Sequence, residues 1–112
     1  MKNKIVRITA KKHWKEAKIQ GFYRAFDYEQ EGFIHASTFE QVAETANLHY
    51  TGQTDLVLLV IDTKLVNVPI KWEHSVKRGQ DFPHIYGDLN LEAVIDVKEL
   101  PIGEDGRFSS PF

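Results

Sequence analysis

The segment Leu56 to Asp62, LVLLVID, is the longest apolar run in the chain and restricts the fold more than any other. A run with no polar alternation that ends in an acid reads as a central strand, with other layers supplied around it. It is far too short to span a bilayer. The remaining elements follow from local signals. Residues 4–8, KIVRI, read as a short strand, and Thr9 is positioned to cap a helix over 10–20. Trp14, Ala17 and the stem of Lys18 mark the inner face of that helix, and Gly21 is its stop signal. Residues 22–31 are mixed and read as a loop, and 33–36, FIHA, as a strand.

The clearest helix signal comes next. Ser37-Thr38-Phe39-Glu40 matches the capping box, in which a hydroxyl and a carboxylate satisfy free backbone N–H groups reciprocally. Phe39, Val42, Ala43, Ala46 and Tyr50 then recur at helical spacing, and Gly52 closes the segment. Beyond the apolar run, IKWE (70–73) reads as a strand, 74–81 as a flexible loop holding Gly79, and 84–86 as a short extended piece. Residues 92–99 read as a last strand with Ala93, Ile95 and Val97 on one face. Residues 103–107, GEDGR, are turn chemistry. Two main helices sit early and strands dominate late, which is the order of an α+β fold. No repeat or linker divides the 112 residues, so 1–112 is expected to form one domain.

Composition narrows the function classes. The net charge is −2, which argues against a dedicated nucleic-acid binder, whose phosphate contacts need a basic surface. The absence of cysteine removes disulfides, thiolate catalysis and cysteine metal sites. The opening MKNKIVRITAKK lacks the apolar core of a signal peptide, so a cytoplasmic protein is expected, with no membrane partner.

Chemistry is expected at two histidine segments, GFIHAS (32–37) and FPHIYG (82–87). In extended backbone, Phe33, His35 and Ser37 share one face, and so do Phe82, His84 and Tyr86. Each segment places an imidazole two residues from a hydroxyl. Two imidazoles on one cleft can donate hydrogen bonds, shuttle a proton or grip a phosphate. The alternative is that each histidine makes one internal hydrogen bond and does nothing else. Gly32 and Gly87 are read as ordinary turn glycines, or else as backbone against which a ligand lies. The start of the helix after Ser37 is a weaker anion site, since Glu40 already supplies the counter-charge there. Ser37 is better explained as a cap than as a triad nucleophile.

No two of the five histidines are spaced as HxH, HxxxH or HExxH, and no metal site is expected. His13, His49 and His74 read as surface residues. Glu73, at the end of a strand after Trp72, is a candidate acid or base, and equally a solvated carboxylate. Arg7 and Thr9 share a face of the first strand, where Arg7 can hold a phosphate or carboxylate, and can equally be an exposed charge. Neither GxGxxG nor a Walker A motif is present.

Over nearly its whole length the chain resembles a small bacterial family without an assigned activity. The resemblance is carried by HWKEA (13–17), GFIHAS with QVAETA (41–46), DLVLLVID (55–62), IKWE, FPHIYGDLNLEAV (82–94) and DGRF (105–108). Its fold is similar to that of the ADP-ribosyltransferases, a split mixed or antiparallel sheet, with the NAD-dependent RNA 2′-phosphotransferase branch as the nearest analogy. That resemblance implies an NAD-type cleft with His35 and Ser37 at the nicotinamide ribose, and Arg7 and Thr9 on its first strand. Many relatives place His-Gly-Thr there, and this chain has Arg-Ile-Thr. It implies a transferase using His35, His84 and Glu73, with Ser37 and Tyr86 orienting a small-molecule or nucleotide ligand. In such a reaction a carboxylate is useful against positive charge developing on the ribose, and Glu73 is the nominee. The alternative is a non-catalytic ligand-binding or interaction module, favoured by the missing Glu-x-Glu pair.

Overall fold

The computed structural model describes residues 3–112. The apolar run forms β4 (Leu56–Asp62), and it is central as expected. It pairs antiparallel with β1 (Lys4–Ala10) on one side and β8 (Val94–Glu99) on the other. Residues of β4 alternate between two cores. Val57, Leu59 and Ile61 join Ile5, Tyr23, Ile34 and Ile85 on one face. Leu56 and Leu58 join Val6, Ile8, Val42, Leu100 and Phe108 on the other. A strand buried on both faces has no position for a polar side chain, which is why its sequence shows no alternation.

A second three-stranded sheet has the order β3–β6–β5, from β3 (Ile34–His35), β6 (Gln80–Ile85) and β5 (Ile70–Ser75). A short pair, β2 (Phe22–Tyr23) with β7 (Leu89–Asn90), forms a separate ladder that packs into the first of these cores. Among the described residues every strand pairing is antiparallel. The two larger sheets meet at one residue pair, Val6 with Ser37, whose backbones exchange two hydrogen bonds of 2.8 Å. The main helices are α1 (Lys11–Gln20) and α3 (Val42–His49), with a four-residue α2 (Tyr28–Glu31) between them.

Several expectations are corrected. Thr9 does not cap α1. It is buried in β1, which runs to Ala10 because Thr9 and Ala10 still pair with Val57 and Leu56. The capping box is shifted by one residue. Thr38 Oγ1 accepts from the Gln41 amide at 3.1 Å, and Gln41 Oε1 accepts from the Thr38 amide at 3.0 Å. Ser37 and Glu40 do not take those roles, because the Ser37 backbone is held by Val6. Residues 22–31 contain β2 and α2 rather than an unbroken loop.

Residues 74–81 are not a loop either. β5 and β6 form a hairpin in which His74 pairs with Asp81 and Ser75 with Gln80, and Gly79 turns the chain at φ +64°. Their polarity reflects an exposed hairpin end, not missing structure. In β8 the register shifts between Val60 and Ile61, so Ile95 is passed over. That bulge breaks the alternation. Ile95 and Val97 are 45% and 38% exposed, while Ala93 precedes the strand and is fully buried.

Candidate functional site

The β3–β6 ladder sets His35 directly opposite His84, with Ile34 opposite Ile85. The isoleucines turn into the first core, so the imidazoles turn outward together. Their ring centroids are 5.1 Å apart at an interplanar angle of 80°. Phe33 stacks on His84 at 4.0 Å and meets His35 edge-on at 4.7 Å. The two segments singled out from the sequence are thus neighbours on one face.

Each histidine is held by a carboxylate. His35 Nε2 lies 2.7 Å from Glu31 Oε1, at the end of α2. His84 Nδ1 lies 2.7 Å from Glu73 Oε1, which sits diagonally across the β5–β6 ladder. With a carboxylate as acceptor, Nδ1 carries the proton and the neutral His84 ring keeps a lone pair on Nε2. Tyr86 donates to the same Glu73 oxygen at 2.5 Å. The Tyr86 hydrogen bond, with that from His84, holds the Glu73 carboxyl below the usual carboxylate range. The same bond raises the Tyr86 phenol above its ordinary value. The His84 side chain is 14% exposed, against 45% for His35.

Beside the histidines lies a cleft of about 610 Å³. It is lined by Val6 and by Arg7, His35, Ser37 and His84 among the expected residues. Thr9, Glu73 and Tyr86 do not line it. Thr9 Oγ1 lies beneath, accepting from the Tyr23 hydroxyl at 2.8 Å, and Tyr23 in turn accepts from Arg7 Nε at 3.0 Å. Arg7 Nη1 also donates to the His35 carbonyl at 3.0 Å. Burial works against the Arg7 charge, yet Tyr23 and Tyr50 hold its pKa above the ordinary value. Burial also raises the Tyr50 phenol, partly offset by Arg7. Glu73 and Tyr86 stand behind His84 and orient it.

Several lining residues were missed from the sequence: Asp27, Glu31, Thr45, Tyr50 and Arg78. Asp27 and Glu31 fell in the supposed loop, and Arg78 in the supposed flexible segment. No local spacing marks them, because α2 and the β5–β6 turn reach the cleft only through the tertiary fold. His49 reads correctly as exposed, and it lies at the cleft's rim. His13 stacks on Phe26 at 5.8 Å, and His74 Nδ1 lies 2.8 Å from Asp81. Gly87, at φ +149°, is pressed against Val68: an added Cβ would lie 2.6 Å from Val68 Cγ1. Its neighbour is a side chain of the fold rather than the cleft.

The model of a family described as protein of unknown function (DUF952) matches residues 8–97. The chain belongs to that family. Among solved structures it is similar to CC0527 from Caulobacter crescentus. The crystal structure of CC0527 has a TM-score of 0.85 at 34% identity, over 95% of this chain and 93% of that one. A crystal structure of a double mutant of CC0527 gives the same values. The solution NMR structure gives 0.80 at 35% identity, over 94% and 90%. No curated protein matches the chain. The DUF952 match runs from the end of β1 into β8, including both histidine segments and the residues behind them, and begins one residue after Arg7. Among the described residues, no helix is long and apolar enough to cross a membrane.

Proposed function

We propose that the cleft beside His35 and His84 binds a nucleotide-type ligand, with NAD the first to be tested. The observation that carries this reading is the convergence of His35, His84, Arg7 and Ser37 on one cleft of about 610 Å³. That volume lies within the usual range of small-molecule sites, on the order of 300–1,000 Å³. The groups present fit such a ligand. Arg7 Nη2 has no partner among the described residues and is suited to a phosphate. Asp27 Oδ1 is buried without a partner and is suited to a hydroxyl or amide donor. Phe26 is 76% exposed on the cleft wall and is suited to stacking with a flat ring.

His84, fixed by Glu73, offers Nε2 as an acceptor or proton carrier, and His35 adds a second imidazole. The likeness to ADP-ribosyltransferases extends this reading to a transferase that uses NAD, in which the cofactor would supply the transferable ADP-ribosyl group. Here Glu73 acts through His84 and not on the ligand. NMR titration with NAD tests the proposal. The imidazole signals of His35 and His84 are expected to shift saturably by millimolar NAD, and two unmoved signals would overturn it.

A second reading is a binding or interaction module without turnover. It is favoured by the commitment of Arg7 and Thr9 to Tyr23, and by the position of Glu73 away from the cleft lining. NAD would then bind without release of nicotinamide. Detection of free nicotinamide by chromatography separates the two readings.

A further inference from the structure

We infer that the cleft receives a phosphate group held jointly by Arg7 and Arg78, and that Arg78 selects phosphorylated over unphosphorylated ligands. The inference rests on the reading of this cleft as a ligand site and names the chemistry that the ligand must present.

Arg7 is 4% exposed. Its hydrogen-bond partners, the Tyr23 hydroxyl and the His35 carbonyl, are both neutral, and it forms no ion pair with the described residues. Burial by itself works against a guanidinium that has no counter-ion in contact, even where neighbouring groups favour its charge. An anion in the cleft would offset that burial directly.

Arg78 reaches the same cleft from the β5–β6 turn. Its guanidinium lies over the Phe82 ring, 4.4 Å from the centroid. Nη1 donates to Thr45 Oγ1 at 2.7 Å and Nη2 to Glu44 at 2.8 Å, while Nε is buried without a partner. The Arg78 side chain is 14% exposed, whereas its counter-ion Glu44 is 60% exposed. A pair whose acid stands in water is weakly held.

A guanidinium has five N–H donors in a planar fork. Arg7 and Arg78 each commit two of them here. Two forks with donors to spare suit the several oxygens of a phosphate better than the two of a single carboxylate. The Ser37 hydroxyl also lines the cleft, held only by a long 3.3 Å bond to Thr45 Oγ1, so it can turn to a ligand oxygen. Of the two lining carboxylates, Glu31 is occupied by His35. Asp27 makes no ion pair with Arg7 and acts on it only at longer range.

The test follows the side-chain Nε–H signals of Arg7 and Arg78 by NMR during titration with inorganic pyrophosphate. Sodium acetate at matched ionic strength is the control. Both signals are expected to shift saturably in the millimolar range with pyrophosphate and not with acetate. The Arg78→Gln variant is expected to lose affinity about tenfold or more, since it truncates a hydrogen-bonded charge. Absence of a saturable shift in the unmodified protein, or an equal response to acetate, would overturn the inference whether or not the variant folds. NAD that moves His35 and His84 without a pyrophosphate response at the arginines would overturn this inference alone. Silence at all four residues with both probes would overturn it together with the NAD reading. A pyrophosphate response without an NAD response would support the phosphate site and remove only NAD.

Discussion

Glu73 takes two hydrogen bonds on one oxygen, from Tyr86 and from His84, and this fixes how its charge is used. Because the folded carboxyl titrates below its ordinary value of 4.5, its contribution to stability is fully present above that pH. It is lost as the pH falls through the lower, folded value. We predict that the Glu73 carboxyl signal titrates with a midpoint below 4.5 in the intact protein, and that Tyr86→Phe moves the midpoint upward, as measured by NMR. A midpoint unchanged in Tyr86→Phe would mean that the phenol does not hold the carboxylate. At this scale the sequence was informative about pairs of residues. Alternation put His35 with Ser37 and His84 with Tyr86 on shared faces, and the ladder sets His35 opposite His84, while Ser37 and Tyr86 lie beyond its ends. It could not supply the carboxylate behind each histidine, because Glu73 reaches His84 across two strands and Glu31 reaches His35 from a helix that read as loop.

At the scale of elements, the start of α3 carries the sharpest contrast. The sequence matches a capping box at Ser37 and Glu40, while the hydrogen bonds lie on Thr38 and Gln41. Gln41 also donates to the Asp81 carbonyl at 2.8 Å and to Gln80 at 3.2 Å, tying α3 to β6. Gln41→Ala is therefore expected to destabilise the protein by about 1–3 kcal/mol, since it removes the partly buried side-chain hydrogen bonds to the Thr38 amide, the Asp81 carbonyl and Gln80. Glu40→Ala, at an exposed position, should change stability by no more than about 0.5 kcal/mol. Urea denaturation of the two variants checks the order, and equal losses would refute the shifted box. Both registers carry a hydroxyl residue followed three positions later by Glu or Gln. Only the Val6–Ser37 bridge, made by residues far apart in the chain, decides between them.

For the whole molecule, the second core depends on the C-terminal segment. Phe108 is 5% exposed among Val6, Ile8, Val42 and Leu58. Its backbone is clamped by Asn47, which donates to the Phe108 carbonyl at 2.9 Å and accepts from its amide at 2.8 Å. Phe108→Ala is expected to cost about 3–5 kcal/mol, by lost burial and the cavity left behind. Thermal or urea unfolding measures it, and a loss under about 1 kcal/mol would show that this segment does not complete the core.

The sequence by itself determined the central strand, the α+β class and the stop of α1 at Gly21, and it singled out the two histidine segments. These are local matters, set by hydrophobic period and by the backbone freedom of single residues. The tertiary structure alone decided that 74–81 would be a hairpin, that the bulge would expose Ile95, and that Arg78 and Asp27 would line the cleft with Arg7. Those outcomes depend on which strand pairs with which, and pairing brings together residues whose separation along the chain carries no periodic signal.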